Sequence, residues 1–132
     1  MNNVIDSFTG EYAYLSNSYM AHIRIGHKTY MCVESAFQAL RVCDGGMSGM
    51  FDSMTGNEAR RIGLDMTERA DWDDIKWDVL YKLTLEKFKQ NQCLENKLLS
   101  TGDAVIKDEF LGDILMRVRD ELRTQNKYEV FA

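Results

Sequence analysis

The longest apolar pattern in the chain has helical spacing and runs from Asp71 to about Lys89. Asp71 occupies the expected N-cap, and Asp73 and Asp74 follow where negative charge interacts favourably with the helix dipole. This helix carries two apolar stripes, one made of Trp72, Ile75, Val79 and Leu83, the other of Trp77, Tyr81, Leu85 and Phe88. Because a helix with two apolar sides must be covered on both, the pattern predicts the central helix of the fold.

The segments before this helix are predicted to contain strands, and those after it mostly helices. Residues 8–15 and 20–30 are rich in aromatic and β-branched residues, with Gly26 at a turn, which predicts a small N-terminal antiparallel sheet. Further helices are predicted from Val33 to about 44–46, over 55–62 with Thr55 and Glu58 as a capping box, over 94–99 and over 111–122. The Met- and Gly-rich segment 47–54 is expected to be flexible, and 104–106 to be a strand.

No proline, Gly/Ser linker or repeat marks a domain boundary in the 132 residues. The expected fold class is therefore α+β, a helix-dominated single domain over residues 1–132. Ile114, Leu115, Val118 and Leu122 are expected to face inward from its last helix.

Composition excludes several classes of function. A net charge of −5 argues against broad, nonspecific binding of nucleic acid, because neutralising phosphates needs a surplus of Lys and Arg. With two histidines and no metal-ligand spacing, neither a metal site nor a cofactor is expected. Cys32, Cys43 and Cys93 are expected to be free thiols, mostly buried. No apolar run is long enough for a membrane span or a signal peptide, so a cytoplasmic protein is expected.

The helix predicted from Val33 separates polar chemistry from packing. Glu34, Gln38 and Arg41 share one stripe at i, i+4 and i+7, beside an apolar arc. A carboxylate, an amide and a guanidinium on one face are suited to holding and attacking a polar ligand. The alternative is that they form the solvated face of an ordinary amphipathic helix.

Five blocks of the chain, taken in order, match the pattern of one family. They are residues 10–17, 33–39, 71–72 leading into 87–91, 98–102 and 111–119. On these blocks the chain resembles the NADAR family, the YbiA-like proteins tied to NAD and ADP-ribose metabolism. The resemblance implies a single YbiA-like domain and an N-glycosidase, which hydrolyses the bond between a nitrogen and the anomeric carbon of ribose. Family substrates include riboflavin-pathway intermediates and ADP-ribose attached to guanine.

The resemblance also implies roles for individual residues. Glu34 looks like the family's active-site glutamate and Trp72 like its active-site tryptophan. Asn17, Gln38 and Arg41 match pattern positions, and their chemistry suggests ligand binding. Against these roles, a tryptophan in the first turn of a buried helix is usually a core residue, and an asparagine in a Ser-Asn-Ser turn is usually a turn-former. The neighbouring pair Arg60 and Arg61 fits either a phosphate site or an exposed surface.

The chain departs from the family pattern between residues 102 and 111. Family members usually carry an insertion there, with an acidic residue, a Trp-Gly pair and a Gly-x-Asn. Here Asp108, Glu109 and Phe110 join the two flanking blocks almost directly. Asp108 aligns with an acidic position just before the lost segment, and is the candidate for the missing acid.

The expected function is hydrolysis of the N-riboside bond of a ribosylated nucleotide or an ADP-ribosylated base, free or carried on nucleic acid. Glu34, Trp72 and Asp108 are the expected catalytic residues. Glu34 is suited either to donate a proton or to act as a carboxylate, and the sequence leaves both open. The alternatives are a binding protein that sequesters such a ligand without turnover, and an interaction module with a decayed site. The pairing of Glu34 with Trp72 argues against the last, and the missing segment argues against the enzyme.

Overall fold

The structure is a computed structural model that describes residues 3–42 and 49–129. Its strands are β1 (Val4–Ile5), β2 (Ile23–Ile25), β3 (Lys28–Tyr30) and β4 (Val105–Ile106). Its α-helices are α1 (Val33–Arg41), α2 (Gly56–Gly63), α3 (Trp72–Gln90), α4 (Gln92–Ser100) and α5 (Gly112–Glu129). Two 3₁₀-helices span Gly10–Leu15 and Gly49–Ser53. The predicted helix-dominated α+β class is confirmed.

Helix α3 is the central helix that the sequence predicts, and it packs against α1, α4, α5 and β2. Its buried residues include Leu83 and Phe88, one from each predicted apolar stripe. The second stripe is not fully covered, because the Trp77 side chain is 48% exposed. Asp71 stands at the N-cap as predicted, but its carboxylate pairs with Arg69 Nε at 2.6 Å instead of capping the helix.

The predicted antiparallel hairpin is confirmed in part. Strands β2 and β3 pair in antiparallel register, with Ile23 opposite Tyr30, and Gly26 between them has a φ of 62°. The strand prediction is wrong for Gly10–Leu15, which forms a 3₁₀-helix. The strand at residues 104–106 is confirmed as β4, and it pairs in parallel with β1, which the sequence did not predict.

Helix α1 begins at Val33 as predicted but ends at Arg41, earlier than expected. Beyond its end, Val42 forms a β-bridge with Glu68, so the chain leaves the helix in an extended conformation. The predicted glycine cap at Gly45 and Gly46 lies outside the described residues. Within the segment predicted to be flexible, Gly49–Ser53 forms a 3₁₀-helix in which Phe51 is buried.

The buried apolar side chains form one cluster that draws on strands and helices alike. The inward face predicted for α5 is confirmed at Ile114, Leu115, Val118 and Leu122, all buried. Helix α2 begins with the predicted capping box between Thr55 and Glu58. Of the cysteines, Cys32 is a buried free thiol and Cys93 an exposed one, whereas Cys43 lies outside the described residues. Within the described helices, none has the length and apolar character needed to cross a membrane.

Candidate active site

A cavity of about 340 Å³ opens between α1 and the first turns of α3. Its lining includes five of the residues singled out from the sequence: Asn17, Glu34, Gln38, Arg41 and Trp72. The cavity falls within the size range of small-molecule sites, which are usually concave with a few convergent polar groups. The structure therefore brings these five residues together, while their roles toward a ligand stay predictions.

Glu34 lies in the first turn of α1 and is 7% exposed. Its Oε1 accepts a hydrogen bond from Gln38 Nε2 at 3.1 Å and pairs with Arg60 Nε at 3.3 Å. Its backbone N–H donates to the Asn17 carbonyl at 3.0 Å. The amide, the guanidinium and the positive end of the helix dipole all interact favourably with a carboxylate at this position. Glu34 is thus a buried negative charge on the cavity wall.

Asn17 reaches the cavity from the turn that follows the first 3₁₀-helix, and Lys87 holds this turn from beneath. The fully buried Lys87 ammonium donates to the carbonyls of Tyr14 at 2.6 Å and Ser16 at 2.9 Å. The Oδ1 atom of Asn17 is buried and has no hydrogen-bond partner among the described residues. A buried acceptor without a donor is costly, so a ligand that supplies an N–H or O–H would be stabilised there.

Sequence reasoning did not single out Lys87, although its position carried a signal. Lys87 follows Leu80, Leu83 and Thr84 on the buried face of α3 at helical spacing, so a lysine there must be enclosed. Burial lowers the pKa of Lys87 from 10.5 to about 7, although the electrostatic influence of the nearby Cys32 opposes this effect.

We expect the free energy of unfolding to rise with pH between about pH 7 and about pH 10.5. In this window the unfolded chain holds a proton on Lys87 that the folded chain has lost, so raising the pH favours folding. Below about pH 7 the lysine is protonated in both states, and its contribution to the slope disappears. Urea unfolding of the wild type and of Lys87→Met across this range measures the effect. An identical slope in both proteins would contradict the assignment.

Arg41 lines the cavity, but protein groups already engage its guanidinium. Its Nη1 donates to the Gly63 carbonyl at 2.6 Å and to Gln38 Oε1 at 3.3 Å, while Nε pairs with Glu68 at 3.3 Å. Gly63 in turn leaves room for Gln38, since a Cβ on that glycine would collide with the Gln38 amide. Through these contacts Arg41 links α1 to α2. Helical spacing alone did not indicate this structural role.

Replacing Arg41 with methionine should therefore lower stability by roughly 1.5–3 kcal/mol, the usual worth of a hydrogen bond to a charged group. The loss would arise chiefly at the buried Gly63 carbonyl, which would be left without its donor. Chemical denaturation of Arg41→Met beside Arg24→Met, an exposed arginine on β2, measures the difference. Equal stability of the two variants would show that Arg41 does not stabilise the packing of α1 against α2.

Arg60 and Trp72 complete the wall around Glu34. The Arg60 side chain is 58% exposed and reaches the cavity, whereas Arg61 is not among its lining residues. Trp72 is 3% exposed and packs against Phe37, with ring centroids 4.9 Å apart. Trp72 is therefore a core residue that also lines the cavity, and its active-site role stays a prediction.

Asp108 lies in a neighbouring cavity of about 250 Å³, which shares Asn17, Arg60 and Phe110 with the first. Its Oδ2 accepts hydrogen bonds from the N–H groups of Phe110 at 3.1 Å and Leu111 at 2.9 Å. These bonds satisfy donors at the entry to α5, as a capping aspartate does. The catalytic role expected for Asp108 stays a prediction.

Five lining residues were not predicted to belong to the site: Phe37, Lys76, Trp77, Leu80 and Phe110. Phe37 lies on α1, the next three lie on α3, and Phe110 lies in the shortened connection before α5. Only the tertiary fold brings that connection beside α3. Within residues 3–42 and 49–129, no group of three or more His, Cys, Asp or Glu side chains is placed to hold a metal ion.

The fold is thus a helix-dominated α+β domain in which a buried glutamate lines a cavity with polar and aromatic walls. Comparison with known protein families shows that the NADAR domain pattern matches residues 6–110 of this chain. The chain belongs to the NADAR domain family, as the resemblance of its sequence blocks predicted.

Two similar proteins support this assignment. The solution structure of E. coli YbiA is 26% identical and superposes with a TM-score of 0.85, covering 96% of this chain and 89% of YbiA. A riboflavin biosynthesis protein of Vibrio vulnificus is 29% identical in an alignment 139 residues long that covers 90% of this chain. The chain spans only 38% of the length of that Vibrio protein.

Proposed function

We propose that this chain is an N-glycosidase that hydrolyses the N-riboside bond of a ribosylated nucleotide or an ADP-ribosylated base. The observation that carries this proposal is the buried Glu34 carboxylate on the wall of a cavity bordered by Trp72. Membership of the NADAR family adds support, and so does the similarity to a riboflavin biosynthesis protein.

The contacts of Glu34 favour the carboxylate role over the proton-donor role. Cleavage of an N-riboside develops positive charge at the anomeric carbon, which a nearby carboxylate stabilises. Gln38 and Arg60 hold Oε1, while Oε2 makes no hydrogen bond with any described residue. Glu34 would therefore present Oε2 to the ribose or to the attacking water, with its orientation fixed by Oε1.

The remaining lining divides into cationic and apolar parts that fit such a substrate. Arg60 and Lys76 supply positive charge that would pair with phosphate groups. Phe37, Trp72 and Leu80 supply apolar surface, which would limit the access of water to the reacting bond and strengthen electrostatic interactions there.

A sequestering protein is the second candidate, and the position of Asp108 favours it. Asp108, the residue that aligns with an acidic position of the family, lies in the neighbouring cavity, and its carboxylate already accepts two N–H groups at the entry to α5. If nothing else supplies the missing acid, the departing nitrogen is not protonated and the ligand stays bound.

Two assays on the same protein separate these candidates. Chromatography detects free base released from ADP-ribosylated guanosine or from a riboflavin-pathway N-riboside, and calorimetry with ADP-ribose measures binding. Release of base supports the enzyme, and binding without release supports sequestration. The absence of both signals would contradict both candidates.

A further inference from the structure

Two exposed aromatic rings stand side by side at the edge of the Glu34 cavity. Trp77, on α3, is 48% exposed, and Phe110, before α5, is 62% exposed. Their planes are inclined by only 12°, and their centroids lie 6.4 Å apart. Both rings line the same cavity as Glu34. We propose that Trp77 and Phe110 form an aromatic clamp that takes the planar base of the substrate between its two rings.

The exposure of this pair needs an explanation beyond ordinary surface variation. Single exposed apolar residues are common, but adjacent exposed rings that continue into a cavity are typical of a ligand site. Phe37, Trp72 and Leu80 extend the apolar surface inward from the two rings. The sequence placed Trp77 in an apolar stripe of α3 that was predicted to be covered, but its side chain is exposed. Packing of the core therefore does not account for its position.

The two nearly parallel rings can open to hold a third planar ring. Stacked carbon atoms lie about 3.5 Å apart, so a base held between two rings needs about 7 Å between their planes. The two centroids are 6.4 Å apart, so the base would enter after the Phe110 ring moves away from the Trp77 ring. Phe110 lies in a connection rather than a helix, and a small shift of its side chain would widen the gap between the two rings.

The charges beside the clamp fit a nucleotide rather than a neutral aromatic molecule. The Lys76 ammonium lies 5.7 Å from the centre of the Trp77 ring, and Arg60 lines the same cavity. A nucleotide stacked in the clamp would place its ribose toward Glu34 and its phosphate within reach of these cations. The inference rests on the proposed function, since it assigns the base half of the proposed substrate to this cavity.

Guanosine monophosphate and ribose 5-phosphate form a matched pair of probes, because they differ only in the base. Stacking of one base on aromatic side chains contributes about a 5- to 150-fold gain in affinity, equivalent to 1–3 kcal/mol. Trp77→Leu and Phe110→Leu should weaken the binding of guanosine monophosphate by this factor and leave ribose 5-phosphate within about twofold. Trp77→Phe, which keeps a flat ring, should restore most of the affinity.

Three controls make the experiment decisive. Leu64→Ala truncates an exposed apolar side chain elsewhere on the surface and should leave both affinities unchanged. Thermal melting should show little change in any variant, because the substituted side chains are exposed. In the wild type, guanosine monophosphate should quench the emission of Trp77, one of only two tryptophans in the chain.

Equal losses for both probes, or no loss for guanosine monophosphate, would overturn the clamp. A wild-type protein that binds guanosine monophosphate no better than ribose 5-phosphate would also overturn it. Base-dependent binding without release of base from any substrate would leave the clamp standing and reject the enzyme. Release of base that is unaffected in Trp77→Leu and Phe110→Leu, with unchanged affinity, would reject the clamp and leave the enzyme standing.

Discussion

Replacing Glu34 with glutamine is expected to lower turnover by about a hundredfold or more, while ligand affinity changes little. Glutamine keeps the volume of the side chain and an oxygen that accepts from Gln38, but it carries no charge. The positive charge that develops on the ribose would then lose its nearest counter-charge. Comparison of base release and of ADP-ribose binding in the two proteins measures both effects.

The chain offers a matched control for this substitution. Glu95 on α4 is as buried as Glu34, at 7% exposure, and does not line the cavity. Glu95→Gln should therefore leave turnover unchanged. The fold should survive Glu34→Gln, because the Arg60 side chain is 58% exposed and water can solvate it when its partner is lost. Unchanged turnover in Glu34→Gln would remove this carboxylate from the mechanism.

The parts of the fold that the sequence predicts are those with long local periodicity. Helix α3 and the inward face of α5 follow from apolar spacing over many turns, and the start of α2 follows from its capping box. Strand β1 could not be predicted, because its partner β4 is distant in sequence and each strand has two residues. The Gly10–Leu15 segment has strand-like composition, but local hydrogen bonds such as Tyr12 N–H to the Thr9 carbonyl give it a 3₁₀-helix.

The candidate site divides in a similar way. The contact between Glu34 and Gln38 follows from their i, i+4 spacing on one helix, and the structure shows it at 3.1 Å. The binding of Arg41 to the Gly63 carbonyl was not predictable, since it depends on how α2 packs against α1. The clamp residues Trp77 and Phe110 meet only through the packing of the 107–111 connection beside α3. The spacing of residues along the sequence therefore predicted which polar side chains share one helix. It did not predict which residues of other elements contact that helix.

Replacing Asp108 with asparagine is the second change expected to abolish turnover, if Asp108 has taken over the acidic role of the missing segment. Asparagine caps a helix as well as aspartate does, so its oxygen should still accept from Phe110 and Leu111. The substitution removes the ionisable proton and the charge of the carboxyl group, and general acid catalysis is usually worth about 10²–10⁴-fold in rate. We therefore expect a large loss of turnover with a nearly unchanged melting temperature.

The adjacent Glu109 supplies the control, since it is exposed and lies in the same connection without lining the neighbouring cavity. Glu109→Gln removes one negative charge from nearly the same place, so a general electrostatic effect would appear in both variants. A loss of turnover confined to Asp108→Asn would identify Asp108 as the general acid. Asp108 would then act from the neighbouring cavity, which shares Asn17 and Arg60 with the Glu34 cavity. Full turnover in Asp108→Asn would instead make Asp108 a capping residue only.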